Sequence, residues 1–339
     1  MIGSTSGAQA TVLPVTERIR SRCLSFSAWD VEPEAVEHLS GFGDLPVRLL
    51  SRDPLTGSAT SVVELPPQWR QGLQPDEATI EFFVLKGDLT VEGNTVGAGG
   101  YAHLPQGTPR TRLQSDSGAT ALYFWNPNLP SFPPPFHQIR VTKAWNEPIR
   151  NRIPGSYQSF FRSLRLPDFT GEGFDGGPGG FLRMAWMSPG FVSPYQHVHH
   201  ESWEECFVLG GDLFNADIGI SAPGSYISIP QEMWHGMVAT QQGALIISHS
   251  NAPMTFPWTM RDYPLGREIV ENVLDSLSLG RPPERQNWSE MALARWQERP
   301  EFRTWYSNPD YSAWGNEERK EVSWRFRASW RRSTSSTAW

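Results

Sequence analysis

The sequence predicts an all-β protein built from two tandem barrels, and three observations carry that reading. Glycine (30) and proline (29) cut the 339 residues into short runs separated by turn signals, a pattern that favours many short strands over long helices. The length admits two domains of about 100 to 200 residues each. A frame then occurs twice. F-V-L-K-G-D-L at 83–89 returns as F-V-L-G-G-D-L at 207–213, and G-G-Y-A-H-L-P at 99–105 returns as G-S-Y-I-S-I-P at 224–230. This is the mark of a duplicated unit of about 125 residues, whose short strands avoid exposed edges by closing on themselves.

Composition bounds the function. Hydrophobic content of 38%, charged content of 19% and a net charge of −7 describe an ordinary soluble chain without the basic surface a nucleic-acid binder needs. No apolar run approaches the roughly 18 to 20 residues that span a bilayer. The N-terminus lacks the basic and apolar segments of a secretory signal, so the expected localisation is cytoplasmic. The two cysteines, Cys23 and Cys206, lie far apart and make no disulfide framework.

In chain order, residues 1–18 read as a disordered lead-in. The first barrel spans 19–128, with short strands at 20–28, 47–50 and 61–65. Two apolar strands over 80–93 are joined by a Gly-Asp turn, a hairpin signal, and further strands follow at 97–107 and 121–125. The run N-P-N-L-P-S-F-P-P-P-F opens a proline-rich linker over 129–155. The second barrel occupies 156–260. Beyond it, Ile269, Val273 and Leu277 fall at helical spacing in a helix over 265–279. In the tryptophan-rich tail that follows, Val322, Trp324, Phe326, Ala328 and Trp330 alternate with polar residues, the period of a half-buried strand. That strand is expected to extend a barrel sheet of its own chain or of a partner in a homodimer.

The chemistry concentrates in one stretch. Five of the eight histidines fall between His197 and His249, beside the paired acids Glu204 and Glu205. His197 and His199 are two apart and so share one face of a strand. Glu204 opens the next apolar strand, where it shares a face with Cys206 and Val208 while Glu205 goes with Phe207; only one of the two glutamates can face a given interior. His235 arrives after the strand that follows Gly224, behind Pro230. Three imidazoles and a carboxylate suit one divalent transition metal, Fe(II), Zn, Mn, Ni or Cu, and not Ca or Mg. His200 is expected to face away from the ion.

These residues resemble the cupin superfamily. Its first motif, HxH, three or four residues, E, six residues, G, is met by His197, His199, Glu204 and Gly211. Its second, G, five residues, P, x, G, two residues, H, is met by Gly224, Pro230 and His235, with Glu232 where the glycine stands. The resemblance implies a fold of two double-stranded β-helix (jelly-roll) barrels, a bicupin. On the shared frame the first copy carries Leu73, Pro75, Ile80 and Arg110 where the second carries ligands, so the first barrel is expected to be degenerate, serving dimerisation, stability or substrate access. Its neighbouring Glu81 and His103 are expected to be surface or turn residues.

Around the ligands, Trp186, Tyr195, Trp203, Cys206 and Trp234 are expected to form the substrate pocket, and His249 and Glu205 are the candidates for moving protons. His249 reads equally as a polar residue of the outer face. The V-L-x-G-x-L frame and the H-x-H-x-x-x-x-E-E arrangement look most like the cupins that include ChrR-like domains and diketone- or hydroxyacetophenone-cleaving dioxygenases. That likeness implies a non-haem Fe(II) dioxygenase acting with O2 on a small carbonyl, diketone or aromatic substrate. A non-oxidative metalloenzyme (isomerase, cyclase, hydrolase or lyase) and a metal or small-ligand sensor are the alternatives.

Overall fold

The computed structural model describes residues 14–35, 45–73, 78–109, 111–127, 129, 138–151, 158–165, 180–199, 202–215, 218–240, 242–251 and 258–260. Among them there is no α-helix, and none long and apolar enough to cross a membrane. The strands of the first half are β1 (Leu24–Ser27), β2 (Val47–Arg52), β3 (Ala59–Leu65), β4 (Trp69–Leu73), β5 (Thr79–Val91), β6 (Asn94–Gly97), β7 (Gly100–Leu104), β8 (Thr111–Ser115) and β9 (Ala119–Asn126). Then come β10 (Arg140–Lys143), β11 (Arg150–Asn151), β12 (Ser159–Ser163), β13 (Phe181–Met187), β14 (Val192–His197) and β15 (Glu204–Gly211). The chain continues through β16 (Leu213–Asn215), β17 (Gly219–Ser221), β18 (Ser225–Ile229), β19 (His235–Ala239), β20 (Ala244–Ser250) and β21 (Trp258–Met260). The lead-in to residue 13, the proline run 130–137, His200, the expected helix and the alternating tail strand lie outside the described residues.

Alternation along each strand sorts the side chains into three cores. In β5, Ile80, Phe82 and Val84 enter the first barrel, while Phe83 faces outward. In β15, Cys206 and Val208 enter the second barrel, while Phe207 faces outward. The second barrel closes a seven-stranded sheet, β1-β18-β15-β20-β13-β12-β11, over a five-stranded one, β17-β16-β19-β14-β21. The outward faces of the two halves pack together through Leu50, Val62, Phe83 and Phe124 on one side and Leu182, Phe207 and Ile247 on the other.

The expected Gly-Asp hairpin at 87–88 is instead a corner within one thirteen-residue strand. β5 pairs with β7 and β9 over its first half and with β6 and β8 over its second, with a register shift between Val84 and Lys86. Gly87 has φ +79°, and a Cβ there would collide with the Gly118 carbonyl. Gly211, the same position of the second copy, has φ +79° and the same conflict with Gly243. A glycine-permitted bend lets one strand serve both layers of a barrel. The chain reverses at Glu92 and Gly93, both with positive φ.

Two strands cross between the halves. β1, expected as the opening strand of the first barrel, pairs instead with β18 of the second; β10, within the expected linker, pairs with β7 of the first. Each arm covers what would otherwise be an edge strand of the opposite barrel. Each ends in an Ala-Trp turn, Ala28–Asp30 or Ala144–Asn146, whose tryptophan lies over a glycine, Gly224 or Gly99.

Glu81 and His103 are not surface residues: their relative exposures are 0% and 2%. Both lie on the face of the first barrel that meets the second. Glu81 accepts hydrogen bonds from Arg165 Nε (3.0 Å) and Nη2 (2.6 Å), Tyr101 (2.6 Å) and Asn126 (3.1 Å), with His103 Nδ1 at 3.6 Å. Burial pushes the Glu81 carboxyl up, but Arg165 and His103 outweigh it and hold the group well below its ordinary value. A carboxylate depressed in this way contributes stability that is present above its unfolded pKa, near 4.3, and is lost as the pH falls towards the folded value. Glu81→Gln is therefore expected to cost about 3 to 5 kcal/mol at pH 7, because it strands a buried guanidinium, and to flatten the acid limb of stability below about pH 4. Denaturant unfolding across a pH series measures both; wild-type midpoints at pH 7 would show that the pair contributes nothing.

Candidate metal centre

β14 and β19 are adjacent antiparallel strands, and their pairing sets His197 directly opposite His235. His199 follows two residues on, and Glu204 opens β15. One ligand atom from each of His197, His199, Glu204 and His235 lies within 4.8 Å of the others, and all four residues are buried. The ring centroids of His197 stand 4.9 Å from His199 and 4.2 Å from His235. Glu204 Oε2 is 3.5 Å from His199 Nε2 and 3.6 Å from His235 Nε2. Among the described residues this is the one such convergence.

Neighbouring groups aim the ligands. His235 Nδ1 lies 3.0 Å from the Met233 carbonyl. Since a carbonyl only accepts, Nδ1 carries the proton and Nε2 presents its lone pair towards Glu204. Ser248 Oγ donates to Glu204 Oε1 at 2.9 Å, which leaves Oε2 towards the imidazoles. The turn ahead of His235 is tied down by the Glu232 amide donating to the His199 carbonyl at 2.9 Å. Glu232 has φ +61°, so it occupies a left-handed position, which accounts for glycine being the residue of the resembled motif.

Burial pushes the Glu204 carboxyl up, but His199 and His235 outweigh it and hold the group well below its usual range. Burial lowers His199, against the pull of Glu204 and with help from His235 and Arg183. An ionised carboxylate beside a neutral imidazole is the protonation state that metal ligation requires. Three nitrogens and one oxygen, buried and convergent, fit a single divalent transition ion. The surrounding wall is apolar, with Met187, Phe191, Val208, Ile227 and Ile246. Arg183, also buried, has its guanidinium carbon 3.7 Å from the Phe181 ring centroid.

The other expected site residues divide by strand face. Cys206 joins the ligands, its Sγ 4.0 Å from Glu204 Oε1. Trp234 is half-buried beside His235. Only the backbone of Tyr195 is described, paired with Met260. Trp186 is on the outer face, 41% exposed and stacked on Phe160. Trp203 is buried on the side of Glu205, edge-on to His249 and under Arg20. Both point away from the ligands: Trp186 has the parity of the outward-facing Met184, and Trp203, just ahead of β15, lies on the side of Glu205.

Glu205 and His249, the candidates for proton transfer, are likewise turned to the first barrel. Glu205 accepts from Arg20 (3.3 Å), Ser51 (3.1 Å), Thr60 and Tyr226. His249 Nδ1 lies 2.5 Å from Glu205 Oε1, and Arg165 Nη2 lies 2.8 Å from His249 Nε2. Arg165 can only donate, so Nε2 accepts and Nδ1 carries the proton to Glu205. His249 is thereby a neutral connector between the two buried ion pairs, and burial lowers its pKa. Ser248, Arg183 and the Arg20 and Arg165 pairs were not signalled as site residues by the sequence. The shared frame position of Glu81 and Glu205 was the available clue to the network.

In the first barrel, Ile80 takes the place of Glu204: it faces Trp125 and Leu104 as Glu204 faces Ser250 and Ile229. Tyr123 stands where Ser248 does, and with Trp125 and Phe82 it fills the interior. Aromatic volume occupies the space that holds the ligands in the second barrel.

No family model and no curated protein matches the sequence. Solved structures do. A candidate dioxygenase from Nostoc punctiforme superposes with a TM-score of 0.58 at 18% identity, covering 72% of this chain and 88% of that one. A candidate glyoxylate-induced protein from Pseudomonas aeruginosa gives 0.54 at 16%, covering 76% and 95%. Protein Ylba from E. coli gives 0.50 at 15%, covering 73% and 97%. At these identities the likeness is one of fold alone, an all-β architecture of curled sheets.

His235→Ala is expected to abolish stoichiometric metal binding and the stabilisation that excess metal confers, about 2.7 kcal/mol at a hundredfold excess over Kd. Ser248→Ala should keep the ion but weaken it by about ten- to a hundredfold. Metal analysis and chelator competition read these out. Wild-type metal content in the first variant, or wild-type affinity in the second, would contradict the assignment.

Proposed function

We propose that the second barrel is a metal-dependent active site and that the protein is a non-haem Fe(II) dioxygenase, cleaving a carbon–carbon bond in a small carbonyl, diketone or related substrate. The observation that carries this reading is the buried convergence of His197, His199, Glu204 and His235 inside an otherwise apolar barrel. Fe(II) would be held there by His197, His199, Glu204 and His235 and would supply the one-electron chemistry that O2 demands.

The chain's own residues set the conditions. Glu204, kept ionised by its imidazole neighbours, contributes one negative charge, so the loaded site retains a net positive charge that favours an enolate or carboxylate. Ser248 and the Met233 carbonyl hold the ligands in one orientation before loading, which removes an ordering cost from binding. The walls from Phe191, Val208 and Ile246 exclude water from a reactive centre. Arg183 adds a positive field on the His199 side, again favouring an anionic substrate. The description of the Nostoc punctiforme protein as a candidate dioxygenase is in keeping with this reading.

A non-oxidative Lewis-acid enzyme would need a group that moves protons at the bound substrate. The engagement of Glu205 and His249 with the first barrel weighs against that alternative.

Purified protein is expected to carry iron and to consume O2 only when a chelating substrate such as a β-diketone is added, with uptake at background in His235→Ala. Stoichiometric zinc together with full turnover under strict anaerobiosis would overturn the proposal.

A further inference from the structure

Outside the metal barrel, a cleft of about 630 Å³ opens between the second barrel's seven-stranded sheet and the segment that follows β10. Its volume is that of a small-molecule site, and such sites favour junctions between domains. Five large hydrophobic side chains are exposed among the described residues, and three of them line this one cleft: Trp145 (55%), Ile149 (61%) and Trp186 (41%). Exposed apolar groups gathered in one place, not scattered, indicate a binding surface. Trp186 stacks on Phe160 on the outer face of β12 and β13, with ring centroids 5.6 Å apart and planes inclined at 19°. Trp145 and Ile149 come from the segment that joins β10 to β11. The cleft thus has an aromatic floor and an apolar wall.

Its single charged lining residue is Arg162. Arg162 Nη1 donates to the backbone carbonyl of Glu147, a neutral acceptor. The Glu147 carboxylate is engaged by Arg140 and by Thr142 (2.8 Å). Among the described residues no carboxylate lies within ion-pair distance of Arg162, so its charge is tethered in place but not neutralised. Gly210 supplies a stretch of bare backbone: a Cβ there would meet nothing within 4 Å, and its φ is not positive.

We propose that this cleft binds a small planar aromatic monoanion, its ring packed against the Trp186–Phe160 stack and its carboxylate or equivalent group at Arg162. The site is separate from the metal barrel. It uses the outward residues Met184 and Trp186 of β13, whereas Ala185 and Met187 of the same strand face the barrel interior.

Isothermal titration with 2-naphthoate and its neutral analogue 2-naphthamide tests the proposal on the full-length protein. The expected result is one 2-naphthoate per chain, bound more tightly than the amide. Arg162→Gln should weaken 2-naphthoate about tenfold and leave the amide unchanged, while Arg162→Lys recovers part of the loss. Gly210→Leu, which the backbone accommodates, should fill the cleft and abolish binding of both. The proposal is overturned if 2-naphthoate does not bind, if Gly210→Leu binds it as wild type does, or if Arg162→Gln leaves its affinity unchanged. It is equally overturned if gel filtration shows a self-association that Gly210→Leu disrupts and 2-naphthoate does not compete with, since the cleft would then be covered by a second copy.

Discussion

A β-strand sends successive side chains to opposite faces, and at Glu204 and Glu205 that constraint divides the chemistry of the protein. Glu204 turns inward with Cys206 and Val208 and meets three imidazoles. Glu205 turns outward with Phe207 and meets Arg20, Ser51, Thr60, Tyr226 and His249. Both carboxylates are buried, and a buried carboxylate costs several kcal/mol unless its partners are complete. One is completed by imidazoles poised for a metal, the other by the opposite half of the chain. A register slip of one residue along β15 would exchange the two and lose both.

The outward glutamate also explains how a duplicated chain becomes one body. Glu81 holds in the first barrel the position that Glu205 holds in the second, and each is paired with an arginine contributed from the other half, Arg165 and Arg20 respectively. His249, neutral between Glu205 and Arg165, joins the two pairs. Around this polar seam lie the apolar outward faces of both sheets, and the arms β1 and β10 are exchanged across it. Ile80, Tyr123 and Trp125 fill the interior of the first barrel, while its outward face packs against the second.

What could be read from the sequence was whatever depends on local periodicity. The two-residue spacing of His197 and His199 pairs two ligands on one face, the resemblance to the HxH…E…G motif adds Glu204, and the repeated frame announces two barrels. Contacts made between the halves were not legible. Glu81 finds Arg165 across 84 positions and Glu205 finds Arg20 across 185, and no local pattern states which sheet faces will pack together. Trp186 and Trp203 are near the ligands in sequence, but their parity with Met184 and Glu205 turns them to the opposite face. Gly87 signals a turn in the sequence and forms a barrel corner in the structure, because both need a positive φ.

The central claim is that three imidazoles and one carboxylate of the second barrel hold a single transition ion, with the Cys206 thiol beside the carboxylate but not bonded to the ion. X-ray absorption at the metal edge of the loaded protein tests it most directly. The predicted spectrum shows only nitrogen and oxygen neighbours at about 2.0 to 2.2 Å, with the outer-shell scattering of three imidazoles. A sulfur neighbour at about 2.3 Å, or scattering from fewer than three imidazoles, would contradict it.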